Sequence, residues 1–259
     1  AFLLHTHTPE DGTYFRVDAY VDPHQQSVWI LEVTTQYVDG WGIALNLARA
    51  LNRPVMLQHA FPTHWVLDNP AYRAEILLDR DEIALATNGR CVPQIHSPEE
   101  APNEGAAVYW YGWKAPNEPW VRPAHGHALE DKRHLMELSR IWESDTVRIP
   151  MTSLVTACVW EDLPFPVVLK NRRKNVGIYG NVAFVANAND DHQGAKKAYR
   201  RAEAVAQQYI APYQLEGRPI QLEILCIGTQ PVTGYLLRGD PDTRVLSDRV
   251  EHGPLILIP

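Results

Sequence analysis

Apolar and polar residues alternate with a period of two through Tyr14–Val21. Phe15, Val17, Ala19 and Val21 fall opposite Tyr14, Arg16, Asp18 and Tyr20, the pattern of a half-buried strand. Asp22–Gln26 supplies turn chemistry. Val28–Val33 alternates again, with Trp29, Leu31 and Val33 on one side and Ile30, Glu32 and Thr34 on the other, so the two runs predict an antiparallel hairpin. Beyond Gly40-Trp41-Gly42, the spacing of Ile43, Leu47 and Ala50 predicts a helix over Ile43–Leu51, closed by Arg53-Pro54. From Met56, the short apolar stretches Val55–Leu57, Ile83–Ala86 and Ala107–Trp110 alternate with Pro, Asn and Gly. They predict a small α/β region whose helices are poorly marked. Its aromatic run, Tyr109-Trp110-Tyr111-Gly112-Trp113, reads as core packing or as a ligand platform.

Ala128–Trp142 is an amphipathic helix by pattern, with Leu135, Leu138, Ile141 and Trp142 on its apolar face. Pro164–Lys170 is a short apolar strand ending in a lysine, and the polar stretch Asn171–Asn181 follows with Lys174, Gly177 and Gly180. Val182–Val185 is a returning strand. Asp190 or Asp191 caps a helix predicted to run to Tyr209, carrying Ala195, Ala198, Ala202 and Val205 on one face. Strands over Ile220–Ile227 and Val232–Leu237 complete the pattern.

Composition narrows the class. The chain has 259 residues, 45% of them apolar and 21% charged, enough to bury a core and unlike a disordered chain. A net charge of −7 argues against a general nucleic-acid binder. Cys91, Cys158 and Cys226 have no zinc spacing, and a reducing cytoplasm is the expected compartment. No apolar run reaches a membrane span. His5-Thr6-His7-Thr8 reads as a solvated segment or a weak metal motif.

Two constellations carry chemistry. On the hairpin, Arg16 and Asp18 share one face, and so do Glu32 and Thr34. Where the faces coincide, two carboxylates repel unless a cation or proton intervenes. Such a pair suits Mg²⁺ with substrate phosphates; the plain alternative is a surface Arg–Asp pair and a separate Glu. The second is Lys170 followed by Lys174, Gly177 and Gly180. It reads as a phosphate-binding segment or as a solvated basic loop, and it matches neither a Walker loop nor GxGxxG.

Taken together, these pieces resemble the ATP-grasp superfamily. Ala128-Leu129-Glu130-Asp131-Lys132-Arg133 resembles the DK-containing start of its first ATP-binding helix, and Ile149-Pro150-Met151-Thr152 its P-x-T motif. Pro164–Lys170 resembles the strand whose lysine holds phosphates, and Asn175–Gly180 the flexible glycine loop. Ile210–Leu225 resembles the adenine hinge, which would set Tyr213, Gln214 and Leu215 against the base. Phe15-Arg16-Val17-Asp18 resembles the R-x-D strand and Ile30–Thr34 the E-[IV]-N strand. The last two end an ATP-grasp chain but here come first, and joining Pro259 to Ala1 would restore the usual order.

The resemblance therefore implies an α/β, circularly permuted ATP-grasp fold with a small pre-ATP-grasp-like α/β domain. Residues 1–55 would be its C-terminal half, 56–125 the small domain and 126–259 its N-terminal half. It implies ATP and Mg²⁺ as cofactors and a reaction joining a small-molecule or peptide carboxylate to an amine through an acyl phosphate, with neither nucleic acid nor membrane as partner. A noncatalytic nucleotide-binding relative and a phosphotransferase are the alternatives. By resemblance, Lys132, Lys170 and Lys174 hold phosphates beneath Gly177 and Gly180. Asp18, Glu32 and Thr34 hold Mg²⁺, and Arg16 and Arg238 stabilise developing charge. Thr34 replaces the usual Asn, and Pro219 stands where a ribose-binding Glu is expected.

Overall fold

The computed structural model describes residues 14–35, 38–58, 61–102, 107–112, 116, 118, 120–122, 131–172, 182–190, 203–228, 230–246 and 250–255. His5–Thr8, Lys174, Gly177, Gly180, the glycine loop and both chain ends lie outside these residues.

The hairpin forms as its alternation predicts. Strands β1 (Tyr14–Asp22) and β2 (Ser27–Thr34) pair antiparallel. β1 also pairs with β13 (Arg218–Ile227), which continues through β14 (Gln230–Arg238) to β15 (Glu251–Pro254). With β7 (Val147–Arg148) beside β2 and β12 (Gln214–Leu215) on β13, this is a seven-stranded sheet of order β15-β14-β13-β1-β2-β7. One departure from strict alternation matters. Asp18 lies opposite Glu32 but Ala19 lies opposite Ile30, so Leu31 is the extra residue of a β-bulge. Trp29 is thereby carried opposite Tyr20, onto the face of Asp18 rather than the face of Val33.

A second sheet, antiparallel, has the order β10-β9-β11-β8, from Val182–Val185, Val167–Lys170, Val205–Gln208 and Thr152–Leu154. Val205–Gln208 was expected as the end of a helix and is a strand. Val205 and Ala206 pair with Lys170 and Leu169 in the middle of this sheet, where cross-strand packing overrides local pattern. Of the rest of that expected helix, Glu203, Ala204 and Tyr209 are not helical, and 191–202 lie outside the described residues. The preceding helix α3 spans Arg133–Ile141. Leu135 is buried but Ile141 is 58% exposed, so the apolar face ends before the expected Trp142. That indole instead donates to the Val147 carbonyl at 2.8 Å.

Residues 64–122 form a third, parallel sheet of order β4-β3-β5-β6. Its strands are Gln94–His96, His64–Leu67, Val108–Tyr111 and Val121–Arg122. Helix α2 (Arg73–Ala86) packs on α1 (Trp41–Ala50). Ile83–Ala86 belongs to α2, and Val55–Leu57 is not a strand. α2 escapes the pattern because its buried face mixes Ile76 and Ile83 with Asp79 and Glu82. Asp79 accepts the Gly42 N–H at 2.6 Å and the Tyr111 hydroxyl at 3.2 Å, closing the start of α1. Glu82 takes Asn46 at 2.8 Å and Arg49. Tyr109, Trp110 and Tyr111 are all buried. Trp110 packs on the sheet face away from its two neighbours.

α1 and α2 touch at Gly42, where an added Cβ would stand 2.6 Å from the Leu78 carbonyl carbon and 2.7 Å from the Asp79 nitrogen. Both are backbone atoms and cannot step aside. Gly42→Ala is expected to cost about 1–3 kcal/mol of stability, read as a lower midpoint in urea unfolding with an unchanged slope. An unchanged midpoint would mean that the helices separate freely.

Candidate functional site

The seven-stranded and antiparallel four-stranded sheets face each other across a cavity of about 80 Å³. Asp18, Tyr20, Leu31, Glu32 and Gln221 line one wall; Val168, Lys170, Val182 and Gln207–Ile210 line the other, with Val245 and Leu246 closing it.

The bulge couples the two walls. The Leu31 carbonyl accepts from Lys170 Nζ at 2.8 Å and from Gln207 Nε2 at 3.3 Å. In a regular strand that oxygen would be directed into the ladder; the extra residue re-aims it at the opposite sheet. Nothing in the alternation of β2 announces this contact.

Register then polarises the cavity. Asp18 and Glu32 stand directly opposite one another, and Lys170 faces them at the end of β9. One rung along lie Tyr20 and Gln221, while Gln207 and Gln208 run the same way on β11. One end is charged and the other is apolar with neutral hydrogen-bonding groups.

At the charged end the carboxylates are neutralised by the chain's own cations. Lys132 Nζ is 3.1 Å from Glu32 Oε1, and Lys170 Nζ is 3.9 Å from Oε2. Arg16 donates to Asp18 from Nε at 2.8 Å and from Nη2 at 3.3 Å, pairs with Asp39, and lies 3.1 Å from Glu223. Burial alone would lower the Arg16 pKa, but these three acids together hold it well above the ordinary value. Glu223 also accepts from the Tyr235 hydroxyl. Burial is the main force pushing the Glu223 carboxyl up to about 7, with Asp18 and Asp39 adding to it and Arg16 opposing.

That shift makes a pH prediction. A carboxyl whose pKa is raised on folding contributes stability below about 4.5 and loses it as pH rises through about 7. Wild type should therefore lose melting temperature between pH 5 and 8 relative to Glu223→Gln. Parallel curves would show that Glu223 is ionised throughout.

The sequence-derived candidates distribute as follows. Asp18, Glu32 and Lys170 line the cavity, while Arg16 and Lys132 lie behind them, bonded to Asp18 and Glu32. Thr34 is fully buried opposite Arg16 and does not reach the cavity. Arg238 is away from it, at the end of β14, bonded to Glu251 at 2.8 Å and near Glu216 at 3.4 Å. Tyr213, Gln214 and Leu215 also miss it. Gln214 and Leu215 are exposed on β12, folded back onto β13 through Glu216-Gly217, both at positive φ. Gln207–Ile210 line the cavity instead, upstream of the β12 turn. Leu31, Gln207, Gln208 and Gln221 were not foreseen.

Among the described residues, no three His, Cys, Asp or Glu side chains gather as a self-sufficient metal site. No helix of the described residues is long and apolar enough to cross a membrane.

No protein-family model matches the chain, and no curated protein sequence matches it. Solved structures do. A Methylobacillus flagellatus KT protein provisionally named gamma-glutamylcysteine synthetase aligns with a TM-score of 0.56 and 11% identity, over 96% of this chain and 80% of its own. The glutathione synthetase-like effector GSS30 of Globodera pallida, solved in its apo form, aligns with a TM-score of 0.51 and 13% identity, over 93% and 71%. At such identities the likeness shows a shared fold: this mixed α/β chain, with three sheets among its described residues, folds like those two proteins.

Proposed function

We propose that this chain is an ATP-dependent ligase of ATP-grasp type, joining a carboxylate to an amine through an acyl phosphate. The observation that carries the reading is the polarised cavity between two sheets, with lysines and carboxylates at one end and an apolar slot at the other. The shared fold supports it. A permuted order is part of the proposal: β1 precedes the Lys170 strand in the chain, yet pairs with β13, which follows it, and β2 lies beyond β1 in the same sheet.

The residues fit ATP and Mg²⁺. Asp18 and Glu32 offer two carboxylates on one rung, the number Mg²⁺ commonly takes alongside phosphate oxygens. Bound ATP would supply the phosphoryl group, and Mg²⁺ its charge neutralisation. Lys132 and Lys170 would turn their ammonium groups from Glu32 toward phosphate oxygens, keeping the charge count level. Arg16 is held by Asp18 and Glu223 behind the cavity wall and would fix the Asp18 carboxylate in place for the cation.

One observation favours the noncatalytic alternative: every charged side chain at the site already has an internal counter-ion. An ADP-release screen over pools of carboxylates and amines with Mg²⁺ separates the readings. Release that needs both pools supports the ligase, release needing only the carboxylates indicates a phosphotransferase, and none at all leaves a binding protein.

A further inference from the structure

At about 80 Å³ the cavity is well below the roughly 300–1,000 Å³ of pockets that enclose a small-molecule ligand. A nucleotide therefore enters only when a wall moves. Two walls are hydrogen-bonded strand ladders. Among the described residues the third is Val245 and Leu246, in the connection from β14 to β15. Residues 244–246 belong to neither a helix nor a strand, and a segment without ladder bonds opens at the least cost.

This strap is pinned to both sheets. Leu246 is buried in the core, and its backbone hydrogen-bonds the Tyr20 side chain on β1. Arg244 is exposed and reaches the other way, its guanidinium carbon 4.8 Å from the centroid of the Phe184 ring on β10. Phe184 lies opposite Val168, on the cavity face of the four-stranded sheet, and meets Tyr209 edge to face at 5.0 Å. An exposed guanidinium over a ring biases an equilibrium only about two- to fivefold, enough to favour the closed position and weak enough to yield. We propose that Arg244 is a latch: its contact with Phe184 holds the strap across the apolar end of the cavity, and its release admits the ligand. That the ligand is a nucleotide rests on the reading above; the latch itself does not.

The test first reads opening without any ligand. Val168 lines the cavity and is 7% exposed, so the thiol introduced by Val168→Cys reports access when it is labelled with a water-soluble maleimide. Peptide mass spectrometry counts it apart from Cys91, Cys158 and Cys226. Adding Arg244→Ala should speed this labelling by about two- to fivefold. In a Phe184→Leu background, where the contact is already gone, the same substitution should give no further gain. The second reading titrates Mg²⁺–ADP into the intact protein. Arg244→Ala should bind it about two- to fivefold more tightly, because a larger fraction of the chain is already open. Unchanged labelling, or an equal gain with and without Phe184, overturns the latch. Weaker ADP binding by Arg244→Ala overturns it too, since the guanidinium would then be a ligand contact. Faster labelling with no ADP bound by wild type or variant sustains the latch and overturns the nucleotide reading instead.

Discussion

Replacing Lys170 with alanine is expected to weaken Mg²⁺–ADP binding by roughly 10- to 150-fold, the equivalent of about 1.5–3 kcal/mol for a charge-assisted contact. The side chain is 8% exposed, lines the cavity, and is tethered at 2.8 Å to the bulged Leu31 carbonyl. Its loss therefore removes both a phosphate partner and a tie between the cavity walls. Arg172, two residues on, is the control. Its guanidinium is 2.6 Å from Asp131 and also pairs with Glu203, outside the cavity. Arg172→Ala should leave the dissociation constant within about twofold, because neither its guanidinium nor its partners Asp131 and Glu203 line the cavity. Calorimetric titration of both variants decides. Equal losses would mean that the basic segment attracts phosphate only through its summed charge, and the assignment of Lys170 would fail.

The contrast between these residues shows what the sequence could convey. Period-two alternation placed Arg16 with Asp18 and Glu32 with Thr34, and the register brings the two pairs onto one face with Asp18 directly opposite Glu32. Such information is local, because neighbouring side chains on a strand take opposite sides. The Leu31 bulge is not local. The carbonyl it exposes is taken up by Lys170 and Gln207, from strands far along the chain. α2 was obscured for the converse reason. Its inward face carries Asp79 and Glu82, whose partners lie on α1 and β5, so a helix that is buried reads as polar. The segment expected against a base was displaced by a short turn. Glu216-Gly217 closes the β12–β13 hairpin, so Gln214 and Leu215 fold back onto β13 while Gln207–Ile210 line the cavity. Family likeness could recover which strands matter, but not which residue of a strand faces the slot.

Glu32→Gln should cause the largest loss, and its effect on stability should run opposite to the one that sequence alone suggests. Two carboxylates on one face would repel, so removing one would help. In the structure Asp18 is neutralised by Arg16, while Glu32 lies between Lys132 and Lys170, whose side chains are 3% and 8% exposed. Taking the charge from Glu32 leaves two buried ammonium groups without their carboxylate, a change typically costing about 3–5 kcal/mol. The melting temperature of Glu32→Gln should fall by many degrees, and Glu32→Gln/Lys132→Met should recover much of it because the charge count is again balanced. Stability and metal use can then be read apart. Wild type and Lys132→Met should bind ADP more tightly when Mg²⁺ is added, whereas both variants lacking the Glu32 carboxylate should show no such gain and no ATP turnover. The comparison is made at a temperature where every variant is folded by circular dichroism. A Glu32→Gln protein that still responds to Mg²⁺ would reduce Glu32 to a counter-ion for the two lysines and leave Asp18 as the sole carboxylate facing the phosphates.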